Sequence, residues 1–148
     1  MKTLINKIAT SAAGLDTLPL RVGTGVIFAA HGAQKLFGWF GGYGLEGTAG
    51  WMTSIGLEPG LLMASMAGGA EFIGGLLLIV GLLVRPAALM LAVTMVVAIV
   101  TVHLQNGLFL ANNGYEFGLA LLAVSIGLVL RGAGSLSVDS VLQARLAS

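Results

Sequence analysis

Four long apolar stretches constrain the fold of this chain. They cover residues 18–39, 61–84, 86–104 and 115–131, and each is close to the ~20 residues that a helix needs to cross ~30 Å of hydrocarbon. Only 9% of the 148 residues are charged, whereas soluble domains have about 25%. The sequence therefore predicts an all-α protein, a transmembrane four-helix bundle in which residues 1–148 form one membrane domain.

Shorter segments flank and connect these stretches. Apolar residues at helical spacing beside two lysines predict a short interfacial helix over residues 3–15, and a second one is expected to begin at Ser135 or Ser137. The glycine- and aromatic-rich residues 40–60 indicate an interfacial loop or a re-entrant lid. A tight turn at residues 85–86 is expected to join the second and third stretches. The first stretch lacks a persuasive cleavage site and is interpreted as retained.

The basic residues are distributed unevenly between the two ends of the predicted helices. Six of them fall on one side, and the seventh, Lys35, falls near the other. By the positive-inside rule, both termini are then cytoplasmic, and residues 40–60 and 105–114 face outward. The net charge of +1 argues against a nucleic-acid partner. The cytoplasmic cations are interpreted as topology anchors: Lys2, Lys7, Arg21, Arg85, Arg131 and Arg145.

Ionisable side chains within or beside apolar stretches are the strongest functional signal. A charge at the bilayer centre costs between about 2.5 and over 10 kcal/mol, so such residues pair, line a wet cavity or take part in chemistry. At 1.5 Å per residue, the predicted spans bring them toward the outer side of the membrane. The catalytic candidates are Glu71, His31 and Lys35, and the candidate ligand-binding residues are Gln34, His103, Asn106, Glu116 and Trp51.

Small residues around Glu71 indicate which way its side chain points. Ala67, Gly68, Gly74 and Gly75 share its helix face, and small residues allow a neighbouring helix to approach closely. Glu71 is therefore expected to point into the bundle. Two interpretations remain open: Glu71 carries protons or contacts a ligand, or it pairs with Lys35 or His31 and fixes the helix register. Lys35 has the alternative of extending to the outer headgroups.

Composition excludes one class of redox chemistry and gives little support to metal binding. The chain has no cysteine, so it forms no disulfide and has no thiol nucleophile. The E-x-x-H pairs of di-iron bundles are absent, and the two histidines are predicted at different depths. No metal site is predicted, and the sequence contains no haem, flavin or iron–sulfur motif.

Several segments resemble the DoxX family. They are RVGTGVIFAAHGAQKLFG at residues 21–38, GAEFIGGLLLIVGL at 69–82 and RPAALMLAVTMVVAI at 85–99, followed by HLQNG, GYE and GAGSLSVD. The resemblance extends over about residues 18–142. It implies a four-helix protein of the bacterial inner membrane. Some members of the family are associated with quinone-linked oxidation of sulfur compounds, and others with oxidative-stress or thiol-redox complexes.

Two classes of function follow from these observations. The first is an accessory subunit of a quinone- or redox-linked membrane complex, an oxidoreductase subunit if it is enzymatic, whose electron carrier comes from a partner redox protein. The second is a non-catalytic membrane anchor or assembly protein, with lipid, a partner or a second copy around it and a purely structural polar cluster. A small-solute or proton pathway is less favoured, because most of the cytoplasmic half lacks polar lining.

Overall fold

The computed structural model describes residues 14–147, in which helices are joined by turns and short loops and no β-strand occurs. Six α-helices lie in this part of the chain. A π-helical turn, Ile99–His103, extends the fourth of them, and short 3-10 turns occupy Trp39–Gly41, Leu104–Asn106 and Leu110–Asn112. The α-helices are α1 (Thr17–Phe37), α2 (Gly44–Ser54), α3 (Gly60–Val80), α4 (Val84–Ala98), α5 (Glu116–Arg131) and α6 (Val138–Ala147).

The predicted turn between the second and third stretches was placed too late in the sequence. Helix α3 ends at Val80, and Gly81 adopts a left-handed conformation (φ +72°) that lets its N–H reach the carbonyl of Leu77. Pro86 instead lies in the first turn of α4, where a helix does not need its missing N–H. The chain therefore reverses at residues 81–83.

The interfacial segments were predicted with unequal success. Residues 40–60 contain the helix α2, not only a loop. The C-terminal helix is confirmed: it begins after Ser137, whose hydroxyl accepts a hydrogen bond from the Ser140 N–H at 3.1 Å. The helix predicted over residues 3–15 lies almost entirely outside the described residues.

Close helix contacts hold the four long helices together. Helix α1 packs along α3, α3 contacts α4, α4 packs along α5, and α5 contacts α1. A Cβ atom on Gly32 would lie 2.3 Å from the Phe72 nitrogen, and one on Gly75 would lie 2.5 Å from the Ala29 nitrogen. These two positions therefore accept only glycine at the observed separation of α1 and α3. Phe28, Leu78, Leu91 and Leu128 are the largest apolar side chains in the core.

Two helical segments of the described chain are long and apolar enough to cross a membrane. They are Gly60–Val80, with a mean hydropathy of 1.7, and Val84–Asn106, with 2.4. Helix α1 contains Arg21, His31 and Lys35, and α5 has 16 residues. Large aliphatic side chains such as Leu76, Val93 and Ile126 are exposed on the outward faces.

Arg21, interpreted from the charge pattern as a topology anchor, is buried. Its side chain is 2% exposed and donates hydrogen bonds to the carbonyls of Leu78 (3.0 Å), Ile79 (2.8 Å) and Leu136. The first two carbonyls belong to the last turn of α3, where backbone acceptors lack helical partners. The anchor interpretation missed these contacts because they form far apart in sequence.

Asp139 lies at the same end of the molecule as Arg21. Its carboxylate accepts hydrogen bonds from the N–H groups of Leu83 (2.8 Å) and Val84 (3.0 Å), where α4 begins. Its own N–H donates to the Gly81 carbonyl at 2.9 Å. We call this region, formed by Arg21, Asp139 and the backbone that they contact, the closed end.

Candidate functional site

A cleft of about 750 Å³ lies at the opposite end of the long helices, which we call the pocket end. This volume is within the range of about 300–1,000 Å³ that small-molecule sites occupy. Helix α1 contributes His31, Gln34 and Lys35, α3 contributes Ala67 and Glu71, and α2 with the preceding loop covers one side. Helix α4 and its π-helical turn contribute Thr94, Val97, Ala98, Thr101, Val102 and His103.

Lys35 and Glu71 form an ion pair in the wall of this cleft. Lys35 Nζ lies 2.5 Å from Glu71 Oε2, and the two side chains are 26% and 4% exposed, respectively. The inward direction predicted for Glu71 is confirmed. Lys35 does not extend to the headgroups, because its ammonium group turns to the neighbouring helix. Removing a charge from water costs free energy, so Lys35 and Glu71 each stabilise the other's charge in the wall of the cleft.

Helix α2 covers the cleft and is hydrogen-bonded to α1, the helix that carries Lys35. Thr48 Oγ1 donates a hydrogen bond to the Lys35 carbonyl at 3.3 Å, and Met52 is buried beside it. Trp51, one of the predicted binding residues, lines the cleft. Gln34 also lines it, and its amide donates to the Phe40 carbonyl at 3.3 Å. These contacts place the aromatic loop and α2 over the ion pair.

A second cavity of about 120 Å³ adjoins the cleft. His31, Lys35, Glu71 and His103 line both cavities. The rest of its lining is mainly apolar, and the ring of Phe117 lies 6.3 Å from that of His31. These four side chains are therefore common to the large cleft and the small, mainly apolar cavity.

His103 enters both cavities from the π-helical turn. Its Nδ1 lies 2.8 Å from the carbonyl oxygen of Asn113. A carbonyl only accepts hydrogen bonds, so Nδ1 carries the hydrogen, and Nε2 is the nitrogen left for a ligand. A π-helical turn widens the helix and is frequent at functional sites. Nothing in the sequence indicates this turn.

Asn106 and Glu116 lie outside the walls of both cavities. The amide of Asn106 donates to the carbonyls of Val102 (3.1 Å) and Asn113 (3.3 Å). The carboxylate of Glu116 accepts from the Leu110 N–H at 2.6 Å. The structure thus brings six of the eight predicted site residues to the cleft and places these two in the adjoining loop.

The α4 wall was not anticipated from the sequence. Thr94, Val97, Ala98 and Thr101 recur at spacings of three and four residues and so share one helix face. This spacing was visible in the sequence, but no charged residue marked it. Within residues 14–147, no group of three or more His, Asp or Glu side chains could hold a metal ion.

The sequence profile of the DoxX family matches residues 17–104, more than half of the chain and most of the cleft-forming residues. The chain belongs to the DoxX family. A Bacillus subtilis (strain 168) protein named "Putative oxidoreductase CatD" is 40% identical over 125 residues, which cover 84% of this chain and 85% of that protein.

Two further relatives come from Haemophilus influenzae (strain ATCC 51907 / DSM 11121 / KW20 / Rd). One uncharacterized protein is 32% identical over 128 residues, covering 82% of this DoxX chain and 86% of its own length. The other is 34% identical over 87 residues, covering 59% and 58%. No solved structure gives a significant match. This chain is therefore a DoxX membrane protein with an oxidoreductase-named relative.

Proposed function

We propose that this DoxX protein is an accessory membrane subunit of a quinone-linked oxidoreductase complex, and that its cleft holds the quinone head group. The observation that carries this proposal is the Lys35–Glu71 ion pair in the wall of a ligand-sized cleft. Ionisable groups at membrane depth usually mark functional sites. The name of the Bacillus relative supports redox chemistry.

In the proposed membrane arrangement, all four long helices cross the bacterial inner membrane as a four-helix bundle. The closed end, with Arg21 and the α3–α4 turn, faces the cytoplasm, and the cleft lies toward the outer leaflet. The excess of lysine and arginine near the closed end supports this orientation. Helix α1 is less apolar and α5 is shorter than the two long apolar helices, but each of them packs against one of those two.

The residues of the cleft suit the carbonyl oxygens of a quinone. An ammonium group has three donor hydrogens, so Lys35 can donate to a ligand while it contacts Glu71. Reduction of a quinone to a quinol takes two electrons and two protons, and the electrons come from a partner redox protein. Lys35 and His31 each deliver one proton to a quinone oxygen. Glu71 takes up a proton from water in the cleft and passes it to Lys35, and His31 is reprotonated from the same water.

A purely structural role is the second candidate, and the same ion pair supports it. Lys35 lies on α1 and Glu71 on α3, so the pair connects the two helices across a close contact. In that case the cleft would be a by-product of helix packing, and the protein would serve as an anchor or assembly subunit. The two candidates differ in what an apolar replacement of both residues does.

The deciding experiment uses the double variant Lys35→Met/Glu71→Leu in the purified full-length chain. Replacing a buried ion pair by apolar residues of similar volume is often neutral for stability, so the variant is expected to fold. We expect binding of 2-methyl-1,4-naphthoquinone and 2,3-dimethoxy-5-methyl-1,4-benzoquinone to weaken at least about tenfold, because charge-assisted hydrogen bonds contribute ~1.5–3 kcal/mol.

The surface ion pair provides a matched control. Arg131 Nη2 lies 2.7 Å from Asp16 Oδ2, and both side chains are exposed. The variant Asp16→Asn/Arg131→Gln is expected to bind quinone as the wild type does. If neither quinone binds the wild-type protein, or if Lys35→Met/Glu71→Leu binds as well as the wild type, the quinone proposal is wrong.

A further inference from the structure

The cleft is open along one side, between α2 and α4. Helix α2 packs on α1 and α3, where Thr48 contacts the Lys35 carbonyl. On the open side, Val97 of α4 is 47% exposed and Tyr43, just before α2, is 86% exposed. Both residues nevertheless line the cleft. They therefore mark its mouth.

The α4 wall extends deep into the apolar segment. At 1.5 Å per residue, Val97 lies about 13 Å, and Thr94 about 18 Å, from the end of that segment at Asn106. Half of the hydrocarbon core is ~15 Å thick. The opening therefore extends from the loop at Tyr43 down to this depth, and along α4 it borders lipid chains.

This wall is apolar although it contains two threonines. Thr94 Oγ1 donates to the Met90 carbonyl at 3.0 Å, and Thr101 Oγ1 donates to the Val97 carbonyl at 2.7 Å. Both hydroxyls thus donate hydrogen bonds within their own helix. The threonine methyl groups are left to line the cleft beside Val97 and Ala98. We call Thr94, Val97, Ala98 and Thr101 the α4 stripe.

We infer that the ligand enters laterally from the lipid and is a quinone with a long isoprenoid tail, which lies along the α4 stripe. The head group then meets Lys35 and Glu71 on the α1 and α3 walls. The inference rests on the proposed function for the head group and adds the class of ligand and its route. An apolar groove continuous with a polar site matches the two parts of such a molecule.

The test compares two ligands that share a head group in two variants of one helix. The ligands are 2-methyl-1,4-naphthoquinone and its 3-farnesyl derivative. Val97→Trp obstructs the mouth of the cleft. Val96→Trp is the matched control, because Val96 is 46% exposed but does not line the cleft. Binding is measured as quinone retained by immobilised nanodiscs containing the full chain, above that retained by empty nanodiscs.

We expect Val97→Trp to weaken binding of the farnesyl quinone at least about tenfold, the effect of roughly two methylene groups losing their contacts. The tail-less quinone should lose less affinity in Val97→Trp than the farnesyl quinone does, although both should bind more slowly through the narrowed mouth. Val96→Trp should change neither the affinity nor the rate of binding. The inference is overturned if Val97→Trp leaves the farnesyl quinone unaffected or weakens both ligands equally. If neither ligand binds the wild type, the proposed function itself fails.

Discussion

Helix α1 carries a cation at each end of the molecule, Arg21 at the closed end and Lys35 at the pocket end. The two residues are about 21 Å apart along the helix axis. Arg21 donates to three backbone carbonyls and lines neither of the two cavities described above. Lys35 contacts a single carboxylate in the wall of a 750 Å³ cleft. The same helix therefore buries one cation for structure and leaves the other with donors that a ligand can use.

The largest effect on stability is expected from substitutions of Arg21 at the closed end. Arg21→Met should lower the free energy of unfolding by about 2–6 kcal/mol, since the Ile79 and Leu136 carbonyls lose this donor at a cost of ~1–3 kcal/mol each, whereas the Leu78 carbonyl keeps the Gly81 N–H. Arg21→Lys keeps the charge but loses the planar fork that reaches three acceptors. Thermal unfolding of the purified proteins measures both. A fully stable Arg21→Lys variant would return Arg21 to the role of a topology anchor.

Glycine contacts test whether the pocket end can be disturbed separately. A Cβ on Gly32 would meet the backbone of Phe72, next to Glu71, whereas a Cβ on Gly25 would meet the Gly75 carbonyl at 2.7 Å, nearer the closed end. Both alanine variants should lose about 1–3 kcal/mol of stability through overpacking. Only Gly32→Ala should also weaken quinone binding.

The control for this pair is Gly23→Ala, because no atom lies within 4 Å of a Cβ at that position. It should leave both stability and binding close to the wild type. Equal losses of quinone binding in Gly25→Ala and Gly32→Ala would show that the closed end and the pocket end are mechanically coupled and do not act separately.

A smaller effect is expected at the start of α4. Asp139→Ala removes the acceptor for the Leu83 and Val84 N–H groups and should lower stability by about 1–2 kcal/mol, as the loss of a helix cap does. Asp139→Asn retains one acceptor oxygen and should lose less. Denaturant titration measures the stability, and quinone affinity should remain unchanged in both. A change in affinity would contradict the separation of the two ends.

The smallest effect on stability is expected for the exposed ion pair of Asp16 and Arg131. The hydrogen bond from Arg131 holds the pKa of Asp16 below its ordinary value of 3.8. Because the folded-state pKa is the lower one, the contribution is present above the ordinary pKa and is lost as the pH falls through the lowered one. Between pH 5 and pH 3, the wild type should therefore lose slightly more stability than Asp16→Asn. An equal or smaller loss in the wild type would show that the pair contributes nothing.

Apolar patterning predicted the main helices because it is local. The four stretches correspond to α1, α3, α4 and α5 with shifts of a few residues. Helix α2 was missed because Gly44, Gly47 and Gly50 lower its helix propensity. It forms nonetheless, with Thr48 and Met52 buried against the rest of the protein. That burial is a tertiary property which the local sequence does not display.

The candidate site shows the same division between local and long-range information. Counting residues along the antiparallel helices placed His31 and Glu71 at similar depth with Lys35 one turn further out, and the small residues beside Glu71 indicated its direction. The partners of Arg21 were beyond prediction, because the carbonyls of Leu78, Ile79 and Leu136 are backbone groups that every residue has. The α4 stripe was missed because threonine and valine also form ordinary lipid-facing surfaces.

The contact between Arg21 and the Leu136 carbonyl has a consequence for biosynthesis. Leu136 and Asp139 follow the fourth long helix in the sequence, whereas Arg21 is near the start of the first. During translation, the closed end can therefore be completed only after all four long helices have left the ribosome. Until then, Arg21 lacks one of its acceptors and the N–H groups of Leu83 and Val84 lack the Asp139 carboxylate. A chain interrupted before residue 136 therefore lacks both the Leu136 acceptor for Arg21 and the Asp139 cap of α4, and it cannot complete the closed end.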